Sequence, residues 1–116
     1  MNQTNNQQKD FNQKQLEANK NFIKLADVFI AQANKLCEVE SPDHQLINAA
    51  LLYASARFSA FITASMSASK ANYDQSTDKA IEFYTAEFNK MLKEHMKQYG
   101  QVLTNKEKTE KQSENS

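Results

Sequence analysis

A guanidinium keeps its charge and carries five donors in a fixed fork, so an arginine set among apolar side chains demands acceptors. Arg57 is such a residue. It is the only arginine beside thirteen lysines, and from Gln45 to Ser69 it is the only charged side chain. One reading makes it the anchor of a ligand-binding pocket, with Asp27, Asn34 and Tyr53 helping to hold an anionic or polar group. The other makes it structural. Asp27 lies fifteen residues before Pro42 and Arg57 fifteen after it, so two antiparallel helices of equal rise bring them to one height. An Asp27–Arg57 pair, reached by Asn34 or Glu87, then answers the burial of the cation.

Other chemistry is sparse. His44 falls near Cys37, Glu38, Glu40 and Asp43, residue types that bind divalent ions. A second Cys and a paired His are missing, however, so no zinc pattern forms. Ser41 and Leu92 stand three residues before His44 and His95, which removes the Glu-x-x-His motif of di-iron bundles. No metal and no cofactor is expected. His95 sits on an apolar stripe and reads as a structural imidazole with one partnered nitrogen. Ser55, Ser59, Ser65, Ser67 and Ser69 lack a Ser-His-acid constellation, and no Gly-x-Ser-x-Gly elbow exists. Cys37 has Glu38 beside it near a helix C-terminus, surroundings that work against a reactive thiolate. One glycine cannot build a phosphate loop. No catalytic residue is assigned, and binding is expected in place of turnover.

Composition narrows the class. The 116 residues carry 14 basic and 14 acidic side chains, so nucleic acid and anionic membrane find no electrostatic footprint. A single cysteine fits a reducing compartment. The first residues show no apolar run of the secretory type, and the cytoplasm is the expected location. Gln45–Ser69 is long enough to cross a bilayer, yet Arg57 would lie at mid-depth with Asn48, Ser55, Ser59, Thr63 and Ser65 around it, at high cost. The expected alternative is a buried helix of a soluble bundle.

The elements that must position these residues are helices. Gly100 and Pro42 are the only glycine and proline, a scarcity that argues against turn-rich β architecture. Phe22, Leu25, Ala26, Phe29, Ala33 and Leu36 recur at helical spacing and place helix one from Leu16 or Lys20 to Val39. Glu40–Asp43 breaks it, with Ser41 or Asp43 capping helix two, about Asp43 to Lys70. That helix is apolar on two faces, one with Ile47, Leu51, Phe58, Phe61 and Ile62. Its third face, Asn48, Ser55, Ser59, Thr63 and Met66, is polar but uncharged and suggests a partner surface. A turn at Ala71–Gln75 precedes helix three, about Ser76 to Tyr99, striped by Ile81, Tyr84, Phe88, Met91, Leu92, His95 and Tyr99. Ser76 or Thr77 would cap it, and Gly100 would close it in a left-handed conformation. The fold class is all-α: an up-down-up three-helix bundle, open to pairing as a homodimer. Residues 1–19 form an Asn/Gln-rich polar segment, 20–103 the bundle domain, and 104–116 a charged tail without structure.

The runs Ala26-Asp27-Val28-Phe29-Ile30 with Ala33-Asn34, and Leu51-Leu52-Tyr53-Ala54-Ser55-Ala56-Arg57-Phe58-Ser59-Ala60-Phe61, resemble a family of small helical proteobacterial proteins known only as a domain of unknown function. The resemblance covers roughly residues 21–99. It implies an all-α bacterial cytoplasmic protein and lends no activity or cofactor. Two functions stay open: a non-enzymatic protein acting by protein–protein interaction or self-association, and a small-ligand binder or minor enzyme built around Arg57.

Overall fold

The computed structural model describes residues 2–39 and 43–114. Three helices follow one another, α1 (Asn2–Val39), α2 (His44–Ser65) and α3 (Lys70–Glu114), with no strand among the described residues. This is the all-α, three-helix class that the scarcity of turn residues predicts.

Local chemistry explains where α2 begins. The Leu46 amide donates to Asp43 Oδ1 at 3.1 Å and the Ile47 amide to the Asp43 carbonyl at 3.3 Å, so Asp43 caps the helix as expected. Ser41 and Pro42, the other elements of that turn, lie outside the described residues.

The second turn falls earlier than the sequence reading placed it. Helix α2 ends at Ser65 and α3 already starts at Lys70, so Ala71–Gln75 is helix and the connection is Met66–Ser69. A reciprocal cap fixes this boundary. The Asn72 amide donates to Ser69 Oγ at 3.1 Å, while Asn72 Oδ1 accepts from the Ala68 amide at 3.3 Å. This is a close relative of the capping box, with Asn in place of Glu or Gln. Ser76 and Thr77, expected as caps, instead donate to the carbonyls of Asn72 and Tyr73 four residues back. Ser69→Ala is expected to lower stability by about 1 kcal/mol, read as a drop in denaturant midpoint, whereas Ser76→Ala should leave it nearly unchanged.

The polar ends correct a second expectation. Residues 2–19 and 104–114 do not stand apart as unstructured tails; they prolong α1 and α3. Neither stretch holds a proline or glycine, and Gln, Lys and Glu are good helix formers. At the carboxyl end Glu107 and Lys111 sit four apart in the favourable order, and Gln101 donates to Asn105 Oδ1 at 3.2 Å.

Gly100 does not close α3. Its φ is not positive, the helix runs on for fourteen residues, and its carbonyl accepts from Thr104 Oγ1 at 3.0 Å. A methyl group there would meet nothing within 4 Å. Gly100→Ala should therefore stabilise the protein by roughly 0.5–1 kcal/mol, and a thermal melt checks it.

The chain divides into two units, residues 1–57 and 58–116. In the first, the best-shielded described residues are Ala26, Ala33 and Cys37 on α1 and Ile47 on α2, all only half-buried. In the second they are Ser59, Ile62 and Thr63 on α2, Ser67 in the turn, and Tyr73, Ser76, Thr77 and Ala80 on α3. Small hydroxyl and alanine side chains thus mark where α2 turns back into α3. No described residue of either unit is fully buried.

Candidate interaction surface

Arg57 stands exposed, and so do Asp27, Asn34 and Tyr53. Among the described residues the ion pair that closes is Lys70–Asp74, at 2.6 Å and one turn apart on the surface of α3. Asp27 and Arg57 are not joined. The physical reason is plain: in the chain alone the guanidinium meets water, so nothing compels it to seek the carboxylate. Helix α2 contains no acidic residue at all. Any carboxylate that pairs with Arg57 must come from another helix or another molecule.

The groups with chemistry are likewise dispersed. Cys37 is free and half-buried, while His44 and His95 are exposed. Among the described residues no three His, Cys, Asp or Glu side chains gather in a metal-binding group. Glu40, one of the residues considered beside His44, lies outside the described residues. An open hollow of roughly 270 Å³ is lined by Ala64, Ser67, Ser69, Lys70 and Tyr73 at the second turn. None of the four residues proposed to bind a ligand belongs to it.

The hydroxyl face of α2 also changes meaning. Thr63, Ser65 and Ser67 donate to the carbonyls of Ser59, Phe61 and Thr63 at 2.8–3.0 Å. These hydroxyls are satisfied by their own backbone, four residues back. Ser59 and Thr63 are among the half-buried positions of the second unit, whereas Asn48 and Ser55 are exposed. Within this face only Ser59 and Thr63 are shielded; Asn48, Ser55 and Met66 remain exposed.

The free surface is apolar. Among the described residues twenty-seven large hydrophobic side chains are exposed, from Tyr84 and Leu36 at 38% to Met66 at 82%. On α2, Phe58 and Phe61 lie with ring centroids 6.3 Å apart, and on α3 Phe83 and Tyr84 meet edge to face at 5.5 Å. Helix α2 has a mean hydropathy of 1.3 over its apolar window, is long enough to cross a membrane, and buries none of that window. The buried helix expected from the sequence is not what the lone chain shows. Its first turn is capped by Asp43, but of its side chains only Ile47, Ser59, Ile62 and Thr63 are half-buried and none is fully buried.

The stripe on α3 is regular. Ile81, Phe88, Leu92, Tyr99 and Val102 are all exposed. With Thr85 and His95 they repeat at alternating intervals of four and three, the seam spacing of packed helices. At 1.5 Å per residue, α3 with 45 residues is about 68 Å long and α2 with 22 about 33 Å. Whatever its placement, α2 can flank at most about half of α3.

The described residues thus present apolar stripes on long helices, and Asp27, Asn34, Tyr53 and Arg57 lie outside the hollow at the second turn. No curated protein and no solved structure matches the chain. Residues 22–99, the stretch that holds both the α2 run around Arg57 and most of the α3 stripe, match the family described as "Protein of unknown function (DUF3144)", and the chain belongs to that family.

Proposed function

We propose that this is a non-enzymatic protein that works through protein–protein interaction in the cytoplasm, its exposed apolar helix faces being the working surface. One observation carries the reading. A folded monomer of 13.2 kDa is expected to expose roughly 6,400 Å², whereas this chain exposes 11019 Å². The excess, roughly 4,600 Å², is within the range that obligate assemblies bury. The exposed side chains on these helices include large aliphatic and aromatic residues, which monomers rarely leave in contiguous patches in water.

The dispersed His, Cys and Arg residues support the same reading, because catalysis needs several polar groups converging on one cavity. Balanced charge supports a protein partner over nucleic acid or an anionic bilayer. It is balanced locally as well: residues 1–57 carry six basic and six acidic side chains, and residues 58–116 carry eight of each. Arg57 in the middle of α2 supports a protein cover over lipid.

Light scattering on gently fractionated extract of cells producing the chain tests the reading. The chain should travel in a complex well above 13.2 kDa. Elution as a monomer both from the extract and in pure form would overturn it, as would turnover that depends on His44 or His95.

A further inference from the structure

We propose that the apolar stripe of α3 is covered by the same stripe of a second copy, the two helices running antiparallel and centred on Leu92. This deepens the interaction reading and rests on it.

Three observations converge. The first is area. The excess of roughly 4,600 Å² per chain is more than a second copy needs for a stable dimer, which buries about 1,200–2,000 Å² in all at standard size. The second is reach. Helix α2 is about half the length of α3, so the distal part of the stripe, with Tyr99, Val102 and Leu103, extends past what α2 can flank. All three of those side chains are more than half exposed.

The third is charge. On the stripe side of α3, the positions between Ile81 and Asn105 are apolar or neutral apart from Glu82, which lies about 80° around the helix from Leu92, at the margin. The stripe is bounded by Asp78 at one end and Lys106 at the other. Asp78 lies fourteen residues before Leu92, and Lys106 fourteen after it. Fourteen residues are close to four turns, so both return to nearly the side of the helix that carries Leu92. In an antiparallel pair centred there, Asp78 of each copy faces Lys106 of the other, giving two ion pairs that close the two ends. A parallel pair in register would set Asp78 against Asp78 and Lys106 against Lys106.

The same symmetry sorts the apolar residues. Phe88 and Met96 lie four from the centre, Thr85 and Tyr99 seven, Ile81 and Leu103 eleven. Phe88 meets the flexible Met96, Tyr99 the smaller Thr85 and Ile81 the equal-sized Leu103, while Leu92 meets its copy at the two-fold axis. An isologous contact of this kind is closed and leaves no further stripe to propagate.

Cysteine cross-linking in the full chain tests the geometry. With Cys37→Ser as background, Leu92→Cys should form a disulfide-linked dimer on mild oxidation. Thr85→Cys and Tyr99→Cys should each stay unlinked alone and cross-link when the two proteins are mixed and annealed. Self-linking of Thr85→Cys and of Tyr99→Cys separately would mean a parallel pair and overturn the proposal. Charge exchange gives a second arm that does not disturb the apolar core. Asp78→Lys should weaken self-association by roughly tenfold, and Asp78→Lys with Lys106→Asp should restore it. Equal weakening by the single and double variants would count against the assigned pairs.

Sedimentation of the pure chain separates this proposal from the broader one. A monomer throughout the micromolar range that is nevertheless held in a larger complex in extract would overturn the second copy and leave the interaction reading standing. A chain that is monomeric in buffer and floats with phosphatidylcholine vesicles would overturn both.

Discussion

Leu51→Ala and Phe88→Ala are each expected to destabilise the associated protein by about 2–5 kcal/mol, the cost of removing a covered aliphatic or aromatic side chain. In the chain alone these positions are 42% and 48% exposed, and truncation there would forfeit little burial. The size of the loss therefore measures how far the apolar faces are covered in solution. If Leu51 and Phe88 meet water, each truncation should cost less than about 1 kcal/mol, close to an ordinary surface change. Urea melts at several protein concentrations provide the measurement, with Lys97→Ala as an exposed control. Covered faces predict a second signature: the midpoint rises with concentration, because association stabilises the folded state by mass action. Small losses and a midpoint independent of concentration would together remove the case for assembly.

Helix content was legible in the sequence because it follows from local rules. One glycine, one proline and apolar residues at three- and four-residue spacing leave few alternatives to long helices. Asp43 was legible as a cap for the same reason. The errors also have local causes. Asn72-Tyr73-Asp74 reads as turn chemistry, yet Asn72 serves the reciprocal cap with Ser69, and the pattern Ser69-Lys70-Ala71-Asn72 carried that signal. Gly100 reads as a helix terminator, but the residues after it are helix formers without proline, and a helix tolerates one interior glycine at modest cost. Polar composition suggested unstructured ends, although low hydrophobicity weakens packing without breaking the amide ladder of Lys, Glu and Gln residues.

The site was less legible, for a different reason. The notion of a buried Arg57 assumed that an apolar helix is covered by its own chain. Periodicity tells which face of a helix is apolar and is silent on which molecule covers it. The equal distances of Asp27 and Arg57 from Pro42 gave a height and no contact; the structure leaves both exposed and unjoined. The neutral hydroxyls of α2 looked like a docking face, but Ser59 and Thr63 lie on the shielded side of the second unit, and Thr63 is satisfied by its own backbone. The symmetric placement of Asp78 and Lys106 about Leu92 was present in the sequence throughout. It gained meaning only when α3 proved to run unbroken from Lys70 to Glu114, since a helix ended at Tyr99 would have excluded Lys106.

Arg57→Leu is expected to turn α2 from a segment that stays out of the bilayer into one that enters it. The helix already has the length and hydropathy of a span, and none of its apolar window is buried in the chain. Arg57 lies near the middle of the 22 residues, where an arginine costs about 2.5–3.5 kcal/mol on the insertion scale and a leucine contributes about −0.3 to −0.6. The exchange should therefore shift the apparent insertion free energy of α2 by roughly 3–4 kcal/mol, a change of more than a hundredfold in the inserted fraction ratio. Glycosylation mapping with α2 as a test segment reads this directly. Arg57→Lys separates charge from shape: it should insert as poorly as the native helix, whereas Arg57→Gln should fall between. In the full chain, Arg57→Leu should move the protein into the membrane fraction while Arg57→Lys leaves it in solution. Efficient insertion of the native α2 would reverse the argument, placing lipid instead of protein against the helix and making Arg57 an intramembrane cation in need of a partner.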